Sequence, residues 1–290
     1  VIDNDNFAEF DPDEDAIDYW ESLEGMRVSF SGVKATAPQA YGDISGVLDT
    51  RVTDTANGGV LITASDYNAD RIHIKAFKAN GNAATDFDVA TGDTFKGELP
   101  LIGVVGYGFS NYKVYMDEAD LRAVYKSGGI APEKTTIVKD DNKLTIANYN
   151  IENFSANASE TSDAKVKLIA ESFVNNMESP DIIGIVEMQD NDGETASNSS
   201  AANESYARLI AAIEAAGGPT YEYVNIDPVY NQDGGAPGAN IRPGFLYNPE
   251  RVTLKEGTAG DATTAVTYEN GELSHNPGLV NPTDPAFTAS

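Results

Sequence analysis

The chain has 290 residues, 41% of them hydrophobic, no cysteine and a formal net charge of −27 at pH 7. This excludes disulfides, thiol catalysis and cysteine metal centres, and it opposes passive attraction to nucleic acid or anionic membranes. No apolar run reaches membrane-spanning length, and no charged stretch leads into an apolar signal core, so a signal peptide is expected to be absent or already removed.

Residues 1–25 form an acidic arm with no Lys or Arg before Arg27. Asp11-Pro-Asp-Glu-Asp15 could be a calcium site, but it lacks the glycine and closing glutamate of the helix-loop-helix calcium loop, and a solvated arm is the simpler expectation. Ile17, Trp20 and Leu23 have helical spacing, with Gly25 as a stop. Residues 26–130 read as a small all-β domain. Candidate strands cover 26–30, 44–48, 59–64, 71–76, 94–105 and 112–116, separated by turns such as Asn57-Gly-Gly. An OB-like barrel suits this pattern, and its aromatics Tyr107, Phe109, Tyr112 and Tyr115 could either bind ligand or fill the core, with the core favoured. His73 alternates within its strand and reads as structural.

The stretch Ser127-Gly-Gly-Ile-Ala-Pro-Glu-Lys134 marks a boundary, after which strands alternate with helices. Leu144-Thr-Ile-Ala-Asn-Tyr-Asn-Ile-Glu-Asn-Phe154 and Asp181-Ile-Ile-Gly-Ile-Val-Glu187 are apolar runs suited to buried strands. Between them, 163–177 predicts a helix with Val166, Ile169, Phe173 and Met177 in its apolar stripe and Pro180 beyond its end. A second helix is predicted over 204–216, stopped by Gly217-Gly-Pro219. Further strands are predicted at 221–226, 241–247 and 251–254, with loop beyond Gly257.

Ligands collect at the carboxyl ends of parallel strands, so Asn150 and Glu187 are expected side by side at one rim. An amide oxygen and a carboxylate are hard donors for Mg²⁺ or Mn²⁺, with Ca²⁺ as an alternative. Glu187 could equally be a solvated strand-end carboxylate. Arg242, entering a strand beside a glycine-rich loop, is either a fork for a phosphate or half of an ordinary ion pair.

Asn148-Tyr-Asn-Ile-Glu-Asn-Phe154, Asp181-Ile-Ile-Gly-Ile-Val-Glu-Met-Gln-Asp-Asn-Asp-Gly193 and Asn240-Ile-Arg-Pro-Gly-Phe-Leu-Tyr247 resemble consecutive motifs of the endonuclease/exonuclease/phosphatase superfamily. The nearest likeness is to secreted bacterial deoxyribonuclease-I-like nucleases, and the segment from Phe10 to Arg27 resembles the β-domain that precedes their catalytic domain. The resemblance implies a two-sheet α/β sandwich after the OB-like domain, with residues 131–290 supplying its N-terminal part. It implies a divalent-metal-dependent phosphodiesterase acting on DNA, with Asn150 and Glu187 at the metal and Arg242, Asn240 and Asn191 near substrate phosphate.

The family's histidine after paired Asn, its Gly-Asp-x-Asn segment and its terminal Ser-Asp-His do not occur, and the only histidines are His73 and His275. The chain alone is therefore expected to be inactive. The rest of the sandwich would come from the same precursor, a cleaved partner or self-association. Without it, Ile146, Ile183, Ile185 and Phe245 are expected to lack a covering layer. The other class of function is a non-catalytic extracellular surface or matrix protein using the same fold for binding or assembly. In either case the acidity suggests an extracellular, secreted or cell-surface setting.

Overall fold

A computed structural model describes residues 1–255 and 257–279. The predicted loop around Asn281 lies outside the described residues. The chain is a mixed α+β protein with one eight-stranded and one four-stranded sheet, and it divides into two compact units, Val1–Ala131 and Pro132–Ser290.

In the first unit the strands are β1 (Arg27–Phe30), β2 (Val33–Ala35), β3 (Asp43–Leu48), β4 (Ile72–Phe77), β5 (Thr94–Phe95), β6 (Leu101–Gly108), β7 (Asn111–Asp117) and β8 (Tyr125–Lys126). Their order is β1-β6-β7-β4-β3-β2-β5-β8, with β4 and β7 as the one parallel pair. Only two residues separate β1 from β2, so the chain itself links the two ends of the run from β1 to β2 into a ring. Strict alternation drives this: β4 buries Ile72, Ile74 and Ala76 and turns His73 and Lys75 outward. Phe87, Phe95 and, from α2 (Glu118–Val124), Leu121 fill the interior, and Tyr125 packs against it.

Two predicted strands do not form as expected. Residues 59–64 are irregular, tied to Asp54 by the Gly59 carbonyl and the Leu61 N–H, with Leu61 and Ile62 exposed. The predicted strand over 94–105 breaks into β5 and β6 around Pro100, which has no N–H to give a ladder. The acidic arm is no free tail. Its helix α1 (Ala16–Ser22) lays Trp20, followed by Leu23, against the core of the first unit, and Gly25 donates to the Val105 carbonyl. The four aromatics assigned mainly to the core lie outside it: Tyr107 and Phe109 are exposed, and Tyr115 stacks on Phe77.

In the second unit β9 (Ile146–Phe154) runs parallel to β10 (Ile182–Met188), and the connection is α3 (Asp163–Glu171) continued by a π-helical turn, Ser172–Asn176. Next come α4 (Asn203–Ala215), β11 (Glu222–Asn225) and β12 (Arg242–Tyr247), giving the order β11-β12-β10-β9. Ser162 caps α3 by accepting from Lys165 N at 3.3 Å. Val166, Ile169 and Phe173 from the first helical segment and Tyr206, Leu209 and Ile213 from α4 cover one face of the sheet. Ile183 and Ile185 are therefore fully buried, contrary to the expectation that they would stand bare, because the helices alone cover that face.

The opposite face carries Ile146, Asn148, Asn150, Val186 and Phe245, of which Ile146 is 70% and Phe245 53% exposed. Residues 251–254 make no strand. Arg251 instead bonds Asp181 Oδ1 at 3.0 Å and the carbonyls of Asp140 and Lys143. Beyond them a short hairpin pairs β13 (Tyr268–Glu269) with β14 (Glu272–Leu273). The segment around it overhangs β11 and β12, leaving clefts of about 470 and 480 Å³ lined by Val224 and Phe245.

Gly244 on β12 is needed where it stands: a Cβ there would lie 2.0 Å from Tyr206 Oη and 3.0 Å from Tyr206 Cζ. The Tyr206 ring stacks on Tyr223 at 4.2 Å, so it is not free to retreat. Gly244→Ala is expected to lower the stability of the second unit by about 1–3 kcal/mol through overpacking, read as a shifted denaturant midpoint. An unchanged midpoint would show that Tyr206 yields easily.

Candidate metal centre

Register brings the two predicted ligands together. Val186 pairs with Asn150 across the β9–β10 ladder, and the regular pairing stops there, resuming only at Met188 opposite Phe154. The interruption is a bulge, a device that re-aims a side chain at a strand end. Glu187 sits in it with φ +68°, and Glu152 and Asn153 on the neighbouring strand have φ +53° and +50°. Three non-glycine residues in the left-handed region at one rim store backbone strain of the kind found at binding and catalytic sites.

Glu187 Oε1 accepts from Asn150 Nδ2 at 2.6 Å, and Oε2 accepts from the Asn153 backbone N–H at 3.2 Å. Asn150 Oδ1 accepts from Glu152 N at 2.8 Å. Lys165 takes the outer position, donating to the Glu152 carbonyl and, at 3.2 Å, to Glu152 Oε2. Among the described residues Glu187 has no ion-pair partner, so its charge is balanced only by dipoles. The Glu187 carboxylate and the Asn150 amide oxygen are hard donors suited to Mg²⁺, Mn²⁺ or Ca²⁺, but here the amide nitrogen faces Glu187 and Oδ1 accepts from Glu152 N, so an ion would use Oδ1 only after the amide turns over.

The three residues expected at substrate phosphate have other tasks. Asn191 Oδ1 accepts from Glu204 N at 2.8 Å and Ser205 N at 3.3 Å, while its Nδ2 donates to Asn203 Oδ1. It thus caps α4, whose own N-cap residue is Ala202 and offers no side-chain oxygen. Asn240 is buried; it donates to Asp190 Oδ2 at 2.6 Å and to the Gly238 carbonyl, and accepts from Asn231 N. Arg242 is also buried. Its Nε and Nη2 both donate to the Asn240 carbonyl, and Nη1 pairs with Asp227 at 2.8 Å. Its fork organises the glycine-rich loop rather than standing open for a phosphate.

Behind Glu187 lies polar chemistry that the sequence reading passed over. Asp190, two residues beyond β10, is fully buried. Burial pushes its carboxyl up to about 6, with Asp192 adding to the rise and the Asn240 bond opposing it. Gln189 is buried with neither amide atom partnered, and Ser155 Oγ is likewise buried and unpartnered. The one available signal was their position directly after an apolar strand.

A family model described as "Domain of unknown function (DUF8508)" matches residues 2–126, which is the first unit. No curated protein and no solved structure gives a match to the chain.

Two predictions follow from these bonds. Asn191→Ala should cost about 1 kcal/mol of stability, the usual worth of a helix cap, as measured by chemical denaturation; no loss would return Asn191 to a ligand-facing role. For Asp190 the folded carboxyl holds its proton more tightly than the unfolded one, so its contribution to stability is full below about 3.8 and is lost as pH rises through about 6. Asp190→Asn should flatten the pH dependence of stability between those values. A variant with an unchanged pH profile would contradict this.

Proposed function

We propose that the second unit belongs to a divalent-metal-dependent phosphodiesterase of the deoxyribonuclease-I-like kind, with DNA as substrate. The observation that carries the reading is the placement of Asn150 and Glu187 side by side at the bulged ends of adjacent parallel strands, close enough for a 2.6 Å hydrogen bond between them. Asn150 and Glu187 would hold Mg²⁺ or Mn²⁺, with Ca²⁺ as the alternative. Bound there, the cation would supply charge neutralisation for a phosphoryl oxygen. The chain's own part is positioning. The bulge fixes Glu187, the Asn153 N–H orients its second oxygen, and Lys165 holds Glu152 aside.

In this reading substrate phosphate meets the Asn150–Glu187 rim, since Arg242, Asn240 and Asn191 are engaged internally. The exposed face of Ile146, Val186 and Phe245 is where a second sheet would pack to complete a sandwich, at about 25 cal/mol per Å² of apolar area covered. In this reading the general base belongs to that covering layer. The first unit, with its ring from β1 through β6, β7, β4 and β3 to β2, suits an OB-like barrel. No helix among the described residues is long and apolar enough to cross a membrane. The charge of −27 fits a secreted or cell-surface setting.

A second reading, a non-catalytic extracellular binding or matrix protein, is favoured by the absent histidine motifs and by the occupied fork of Arg242.

The test is nicking of supercoiled plasmid by the longest encoded form of the protein, with Mg²⁺ or Mn²⁺. Nicking should disappear in excess chelator and in Glu187→Gln, while the variant's stability stays within about 0.5 kcal/mol, as for an exposed substitution. Nicking that survives both would refute the assignment. Absence of nicking, with DNA or matrix binding retained, would favour the second reading.

A further inference from the structure

The acidic arm of the first unit carries a charge problem that none of the foregoing explains. Carboxylate oxygens of Asp3, Asp5 and Asp15 lie within 4.8 Å of one another, and so do those of Asp11, Asp15 and Asp18. Asp15 belongs to both groups and is only 2% exposed. Its Oδ2 accepts from Asn4 N at 3.1 Å, but its Oδ1 is buried and has no hydrogen-bond partner. The Oδ1 of Asp11 is in the same condition.

No cation of the chain relieves them. The ion pairs found among the described residues involve none of these five carboxylates. Burying an ionised carboxylate oxygen without donor or counter-charge is costly, and like charges at this range add to the cost. Two remedies exist, a proton or a metal ion. Clustered carboxylates in irregular loop geometry suit Ca²⁺, which takes six to eight oxygens in flexible arrangements, better than Mg²⁺, which demands an octahedron.

We propose that the arm is a calcium site built around Asp15, with Asp3 and Asp5 on one side of it and Asp11 and Asp18 on the other. The site is in the first unit and independent of the Asn150–Glu187 centre. It also has a structural consequence. Val1 and Ile2 are held to the start of α1 only by backbone bonds to Ala16 and Ile17, at 3.1 and 3.2 Å. Ile2, Ile17 and Trp20 then form one wall of a cavity of about 510 Å³ whose other wall includes Tyr107 and Tyr112. An ion on Asp15 would tie the leading strand of the arm to α1 and so hold that wall in place.

Trp20 is the only tryptophan, so its emission reports on the arm without labelling. The test strips the full chain with chelator and titrates it with Ca²⁺ by calorimetry, following Trp20 fluorescence and thermal unfolding in parallel. Expected are saturable binding of one or two ions, with a dissociation constant at or below about 10⁻³ M as in extracellular modules, a change in Trp20 emission and a higher melting temperature. Asp15→Asn should weaken binding by about tenfold or more, the scale set for losing one central charged ligand. Asp5→Asn, at a less buried position, should weaken it in the same direction if Asp15→Asn fails to fold. Asp13→Asn, outside both groups, and Glu187→Gln, in the other unit, should leave the Trp20 response intact. Three results would overturn the proposal. One is no Ca²⁺ response of Trp20 or of the melt. Another is an equal response to Mg²⁺ at the same ionic strength, which would be general screening of a highly acidic chain. The third is a Ca²⁺ response undiminished in both Asp15→Asn and Asp5→Asn.

Discussion

The parallel ladder between β9 and β10 is pinned at both ends by carboxylates, and the second unit is arranged around that fact. At the start, Asp181 accepts from the Thr145 N–H at 2.7 Å, the Thr145 hydroxyl at 3.0 Å and Arg251 Nε at 3.0 Å. Burial acts to raise this carboxyl, but the Thr145 and Arg251 bonds hold it below its usual range. At the finish, Glu187 accepts from Asn150 and Asn153. The two ends differ in one respect that matters. Asp181 is neutralised by an arginine and buried, whereas Glu187 has neither a cationic partner among the described residues nor full cover. The first is a structural anchor; the second is a charge held ready for a ligand.

The bulge at Glu187 links fold to site. A regular strand would continue the alternation and send Glu187 toward the helix-covered face, where an unpaired carboxylate is unaffordable. The left-handed step at Glu187 keeps Met188 in the core, opposite Phe154 and Arg242, and leaves the carboxylate at the rim. Behind it Asp190, Asn240 and Arg242 form a chain of hydrogen bonds ending at Asp227. Such a buried network is costly if any member is removed, and it fixes where the loop after β10 can run.

Much of this was legible in the sequence, for identifiable reasons. Both helices of the second unit declared themselves by a 3.6-residue apolar period and by their stops, and the β9 and β10 runs by apolar residues rich in isoleucine that end in Asn and Glu. The meeting of Asn150 with Glu187 followed from parallel pairing of those two runs. What stayed hidden depends on long-range partners. Leu61 and Ile62 look like strand residues, yet no neighbouring strand is there to pair with them. Arg251, placed in a strand by its apolar neighbours, serves as a clamp on Asp181 and three carbonyls, which no local pattern encodes. Asn191 and Arg242 have the chemistry of phosphate ligands, and only coordinates reveal the helix end and the carbonyl that engage them. The acidic arm looked solvated because composition is blind to burial; the one residue that matters most there, Asp15, is indistinguishable in sequence from its exposed neighbours.

The central claim is that Glu187 and Asn150 together form the cation site of the second unit. The most direct measurement is paramagnetic line broadening in a ¹⁵N-labelled sample during titration with substoichiometric Mn²⁺. The account predicts that, within residues 132–279, the Asn150 side-chain NH₂ and the backbone amides of Glu152 and Asn153 broaden first, and that Glu187→Gln abolishes the effect. Broadening that begins elsewhere in the unit, or that persists at these amides in Glu187→Gln, would contradict it.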